Sequence, residues 1–196
     1  FGCVNEIGKR RKADNISGLR EVSAVANTLE TFSRVANSGY ILHIGIDDFR
    51  TINETFGHEY GNTILKGVAD CIVQALNVGE EVYHASGDEF VVVSYLTDDE
   101  NDGVDLYNRV RRNVDAFIEK NRYQTVFTIS GGILSCKKLS GMEFQELIKL
   151  SQFALGQAKS LGRNQVYVFD VNDYEKFLHD RSIISAIREA ISSNYE

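Results

Sequence analysis

Tyr40-Ile41-Leu42-His43-Ile44-Gly45-Ile46-Asp47-Asp48-Phe49-Arg50 is the stretch on which the fold turns: a short apolar run that ends abruptly in two adjacent acids. Tyr40 to Ile46 has strand length and little polar character, which predicts a buried strand. Asp47 and Asp48 then offer first-turn carboxylates to a short helix through Phe49 and Ile52 that ends near Gly57. Downstream, Ile64, Leu65, Val68, Ile72, Ala75 and Leu76 share one helical face, and Asn77 with Gly79 provides the stop. Upstream, Val22, Val25, Ala26, Leu29 and Phe32 also fall at helical spacing. Glu81 to Ala85, a Ser86-Gly87 turn and Asp88 through Leu96 predict a β-hairpin. Further on come a helix marked by Tyr107, Val110, Val114 and Phe117, and a strand over 125–134 with a close-approach point at Gly131-Gly132. A helix carrying Phe144, Leu147, Ile148, Leu155 and Ala158 and a last strand over 166–169 complete the order. That order, β, α, α, β, β, α, β, α, β, contains the βαββαβ pattern of ferredoxin-like folds. It predicts an α+β domain whose central, mostly antiparallel sheet is flanked by helices, with helices covering one face.

The rest of the composition narrows the function. The chain has 196 residues, 43% of them apolar, which suits one core and excludes a disordered segment. With 21 basic against 28 acidic residues the net charge is −7, so no global basic field supports binding to a nucleic acid polymer. A phosphate-bearing ligand must find local donors or metal ions. Cys3, Cys71 and Cys136 are widely spaced, as buried small apolar residues of a reducing compartment would be. The absence of a bilayer-length apolar run or signal-peptide pattern predicts a cytoplasmic domain, or the cytosolic part of a membrane-anchored sensor. The start at Phe1 and the amphipathic end, with Ile183, Ile184, Ile187, Ala190 and Ile191 in one stripe, suggest a module excised from a longer protein. With 0 prolines, loops must turn on glycine, asparagine and aspartate.

Two acid-bearing turns, Asp47-Asp48 and Asp88-Glu89, belong to strands expected to be neighbours, so their carboxylates would converge. Such acids can hold Mg²⁺ through oxygen ligands, and the ion can bridge phosphate oxygens of a nucleoside triphosphate. The backbone N–H groups of Asp48, Phe49 and Arg50 open a helix, a ready anion site. Solvated helix caps would leave the same pattern.

The motifs go further. Ile46-Asp47-x-Phe49-x-x-Ile52-Asn53-x-x-x-Gly57-His58-x-x-Gly61, then Ser86-Gly87-Asp88-Glu89-Phe90, then Ala158-Lys159-x-x-Gly162-Arg163-Asn164 resemble the GGDEF family of diguanylate cyclases. Asp14-Asn-Ile-Ser-Gly-Leu19 is similar to that family's leading D-x-L-T-G-L signature, so the match runs over about 14–169. The resemblance implies a palm-type domain over 1–175 that binds GTP, with 176–196 a linker helix towards a downstream EAL phosphodiesterase domain. Two such domains would face each other as a homodimer, each 3′-OH attacking the partner's α-phosphate to give cyclic di-GMP and pyrophosphate. It also assigns roles. Asp88 and Glu89 would be catalytic, and Ile46, Asp47 and Asp88 would form the metal set for one or two Mg²⁺ ions. Asp48, Phe49, Arg50, Asn53, Asn62, Ser86, Gly87, Lys159 and Arg163 would contact the nucleotide.

Three departures modify this. The acid that opens the family's D-x-D-x-F-K motif is replaced by Gly45, which removes one shared metal ligand, and Asp47 is the nearest substitute because alternate strand residues share a face. Asn62 stands where the family has an aspartate that accepts two guanine N–H groups; an amide leaves one unpaired at about 1–3 kcal/mol, relaxing base choice. The family's product-inhibition motif R-x-x-D falls on Asn77-Val-Gly-Glu80, without the arginine. The resulting reading is a GTP-binding regulatory module with weak or lost cyclase activity. The alternatives are a working cyclase in which Asp47, Asp88 and Glu89 hold the metals, or an interaction module without nucleotide affinity. His84 receives no role.

Overall fold

The computed structural model describes residues 13–23, 39–123, 125–139 and 141–193, with only the backbone described for 138 and 183–193. Five strands form one sheet: β1 (Tyr40–Ile46), β2 (Glu80–Ser86), β3 (Glu89–Ser94), β4 (Ile129–Ser135) and β5 (Val166–Val168), in the spatial order β2-β3-β1-β4-β5. Only the β4–β5 pair is parallel. The connections carry α1 (Phe49–Phe56), α2 (His58–Ala75), α3 (Glu100–Asn121) and α4 (Phe144–Ser160), and α5 (Val171–Ser193) follows the last strand. The architecture is the α+β, palm-like arrangement expected.

β1 is central, and all seven of its residues are buried, because helices cover both faces of the sheet rather than one. Tyr40, Leu42, Ile44 and Ile46 join Ile64, Val68, Ile72, Leu106, Tyr107 and Val110 on the α2–α3 side. Ile41 joins Val91, Val93, Leu134, Leu147 and Leu150 under α4. Burial on both faces explains the uninterrupted apolar run, since neither face has to meet water; each such side chain contributes roughly 1.5–3 kcal/mol. Cys71 and Cys136 are buried as well, and burial pushes their thiols up to about 11 and about 12. Cys3 lies outside the described residues.

α4 lies close against the sheet because Gly132 has no side chain. A Cβ there would sit 2.2 Å from Leu155 N and 2.6 Å from Ala154 C, both backbone atoms. The expected close-approach point is therefore what brings α4 down onto β4 and β1.

Some boundaries differ from expectation. Residues 125–128, read as the start of a strand from Thr and Val content, precede β4, which begins at Ile129; Val126 is 83% exposed and the Thr128 hydroxyl is drawn to Asp47. α2 begins at His58, directly after the Gly57 corner. α5 begins at Val171 instead of 176, and its first turns rest on an aromatic cluster of Phe153, Phe169, Tyr174 and Phe177. The helix expected over Val22–Phe32 falls mostly outside the described residues, as do the side chains of the Ile183–Ile191 stripe. No helix among the described residues is long and apolar enough to cross a membrane.

Candidate functional site

β1 and β3 are paired neighbours, with Gly45 opposite Glu89 and Ile46 N donating to Asp88 O at 3.3 Å. The two acid-bearing turns therefore meet at one end of the sheet. The hairpin reverses at Gly87 and Asp88, with Gly87 in the left-handed region at φ 57° and a register shift between His84 and Ser86. Ser86 pairs with Glu89 at the base of this turn.

The hairpin acids are held by α4. Lys159 Nζ lies 3.7 Å from Asp88 Oδ2. Burial, together with the charge of Glu89, raises the Asp88 carboxyl above its ordinary range despite that ammonium. Glu89 accepts from His43 Nε2 and Gln152 Nε2, each at 3.2 Å. Burial pushes its carboxyl up, but the bonds and charge of His43, with Lys159 and Gln152, bring it below the ordinary range. His43 is buried and its Nδ1 lies 3.1 Å from Ser151 Oγ, whose own hydroxyl donates to Ile148 O at 2.8 Å.

Asp47 is engaged elsewhere. It is 3% exposed; Oδ1 accepts from Ser130 Oγ at 2.8 Å, and Oδ2 from Thr128 Oγ1 at 2.6 Å and Asn164 N at 3.1 Å. It lies on the face of Gly45, as alternation requires, yet three donors hold it, one just before β4, one on β4 and one after α4. At Gly45 itself the space for a side chain is filled: a Cβ would meet Lys159 Nζ at 2.7 Å, Lys159 Cε at 3.0 Å and Leu155 Cδ2 at 3.2 Å. Among the described residues no three histidine, cysteine or acidic side chains are grouped to hold a metal ion.

α1 starts without a side-chain cap, because Asp48, at the N-cap position with φ 53°, turns its carboxylate to Arg163 Nε at 3.3 Å. Phe49 packs on the core, while Arg50 pairs along the helix surface with Glu54 at 2.7 Å. At the α1–α2 corner, Asn53 Oδ1 is buried and has no hydrogen-bond partner among the described residues. It lies against Gly61, where a Cβ would be only 1.9 Å away. Asn62 follows, exposed, in the first turns of α2. A cavity of about 330 Å³ lies between α1 and the segment before β4, lined by Asp47, Thr51, Thr55 and Thr128 among others, and includes neither Asp88 nor Lys159.

Two contributions were missed from sequence. His84 braces the hairpin: Nε2 lies 3.1 Å from Gly87 O, and Nδ1 faces Asp14 Oδ2 at 3.8 Å. Asp14 is itself set by bonds from Ser17 N and Ile16 N, and main-chain bonds from Arg20 and Val22 dock this segment on His84. Glu80 is turned inward, accepting from Tyr40 Oη at 2.7 Å and Asn77 N at 2.6 Å, so the acid of the 77–80 segment is structural. The available sequence signal was a histidine beside Tyr83 near the hairpin turn, where β2 is buried.

Residues 13–165 match the family described as "Diguanylate cyclase, GGDEF domain". Cyclic di-GMP phosphodiesterase NbdA of Pseudomonas aeruginosa is 28% identical over 91% of this chain and 23% of its own length. Diguanylate cyclase VdcA of Vibrio cholerae is 26% identical over 78% of this chain and 45% of its own length. The chain thus spans less than half of either curated relative. Among solved structures, the GGDEF domain of TpbB (YfiN) from Pseudomonas aeruginosa superposes with a TM-score of 0.67 at 21% identity, over 85% of this chain and 99% of that one.

Proposed function

The chain belongs to the GGDEF domain family of diguanylate cyclases, and from that premise we propose that it is a guanine-nucleotide-binding regulatory module of cyclic di-GMP signalling whose cyclase activity is weak or lost. The observation that carries this reading is Gly45, which has no carboxylate and whose side-chain space is occupied by Lys159 and Leu155.

Magnesium is the ion that cyclases of this family generally use. The donor set here does not fit a pair of such ions. Asp88 remains at the mouth beside an ammonium, Glu89 is bonded to His43 and Gln152, and Asp47 is buried under three donors. A hard, oxygen-seeking ion requires several free oxygens at near-octahedral positions, and few are presented. The main-chain carbonyl of Ile46 and one Asp88 oxygen are a meagre cage.

Nucleotide binding is supported by the other half of the site. Asn53 Oδ1 is a buried acceptor without a partner among the described residues, as a contact to a base N–H would require, and Asn62 lies at the same corner. Arg163 and the uncapped start of α1 supply charge and N–H groups for phosphate oxygens. An amide at 62 in place of a carboxylate weakens discrimination between guanine and adenine. A homodimer and a downstream EAL domain are the partners this reading expects.

Incubation with GTP and Mg²⁺ or Mn²⁺, with products read by mass spectrometry, tests it. The expected result is no more cyclic di-GMP than an Asp88→Ala variant yields, alongside calorimetric GTP binding that Arg163→Ala weakens about tenfold. Cyclic di-GMP formed by the wild type and abolished by Asp88→Ala would establish the working cyclase instead. No GTP binding at all would leave the interaction module.

A further inference from the structure

We propose that the ammonium of Lys159 takes the place of a divalent cation at the mouth of β1, so that the site receives the phosphate tail of a guanine nucleotide without a bound metal ion. The inference rests on the nucleotide-binding reading above and deepens it.

The placement of Lys159 is specific. Its Nζ lies 2.7 Å from where a Cβ at position 45 would begin and 3.7 Å from Asp88 Oδ2, so the positive charge sits where an acidic side chain from β1 would otherwise enter. It acts on both hairpin acids, favouring the charged forms of Asp88 and Glu89. An ammonium carries three donors and needs no fixed coordination geometry. One of them facing Asp88 leaves the others for phosphate oxygens. The side chain is 28% exposed, so the head can be reached from solvent.

The surroundings favour an internal cation over a bound one. Asp47 and Glu89, the other acids of the mouth, are already satisfied by protein donors. The backbone that carries Lys159 is fixed beside the mouth, because Gly132 lets α4 lie against the sheet and Leu155, one turn before Lys159, also lies over Gly45. Glycine at 45 is what makes room: any side chain there would contest the same volume.

GTP titrated calorimetrically into the intact chain, once with Mg²⁺ and once with EDTA, tests this. The expected dissociation constants agree within about fivefold, since the ammonium is present in both buffers; a larger loss in EDTA overturns the inference while leaving nucleotide binding in place. Absence of binding in both buffers overturns the two readings together. Lys159→Gln should weaken binding in EDTA by about tenfold or more and recover part of it with Mg²⁺, because the vacated space then admits an ion beside Asp88. Gly45→Asp should make binding depend on Mg²⁺. Equal affinity of that variant in both buffers, with a melting curve like the wild type's, would show that position 45 does not govern metal use and would also overturn the inference.

Discussion

At the corner between α1 and α2 a buried acceptor, Asn53 Oδ1, has no partner among the described residues, whereas at the mouth of β1, a few residues upstream, Asp47, Asp88 and Glu89 each meet donors from the chain itself. An unpaired buried acceptor costs about 1–3 kcal/mol, so the corner keeps a cost that a ligand donor would relieve. At the mouth the acids face protein donors, and the cost that remains is the burial of Asp88. The contrast separates two tasks that a nucleotide site normally combines: recognising a base, and organising cations around phosphates.

Gly132→Ala should disturb that contrast most. Its methyl would strike α4 backbone atoms at 2.2–2.7 Å, moving Lys159 off Gly45 and costing roughly 3 kcal/mol, read as a lower urea midpoint together with weaker GTP binding. Asp47→Ala comes next. Stripping the acceptor from Thr128, Ser130 and Asn164 N should cost about 2–3 kcal/mol in chemical denaturation; a change within about 0.5 kcal/mol would mean that Asp47 is an exposed ligand rather than a strut. Gly61→Ala sharpens the other side. It pushes the Asn53 amide aside and should weaken GTP binding about tenfold, with stability held within about 1 kcal/mol because alanine favours the helix. Asn62→Asp, which restores the second acceptor, should raise the GTP-to-ATP preference about tenfold, measured by competition.

The smallest expected effect is in pH. Glu89 has its folded carboxyl depressed, so its contribution to stability is complete above the unfolded range and is lost as pH falls through the folded value. Asp88 is raised, so it has the opposite sign and costs stability as pH climbs through the ordinary carboxylate range. Glu89→Gln should therefore flatten the acid limb of the stability curve, followed by thermal melts between acid and neutral pH. An unaltered limb would dissociate His43 from Glu89.

The order of elements along the chain, β1 as an apolar strand beside the hairpin, and the close approach at Gly131-Gly132 were legible because a buried strand leaves an unbroken apolar run and glycine pairs mark close approaches. A glycine at 45, where the resemblance implies an acid, was legible too. That Lys159 fills the gap was not: residues 45 and 159 meet only because Gly132 lets α4 descend, a contact that no local pattern encodes. His84 was opaque for the same reason, since its partner Asp14 belongs to a segment docked from 70 residues away. Thr125 to Thr128 misled because β-propensity reflects side-chain fit to a pleated surface, and here Val126 faces solvent while Thr128 serves Asp47.

The aromatic cluster at the root of α5 has a mechanical corollary. Phe153 on α4 grips Tyr174 and Phe177 with ring centroids 5.0 Å apart in each case, so the 23-residue α5, about 35 Å long, is clamped near its start to the helix whose far end bears Lys159. A pivot of about 5° at that clamp displaces the backbone of Ser193, about 25 Å further along the helix axis, by about 2 Å, which makes that end of α5 a pointer for any tilt of α4.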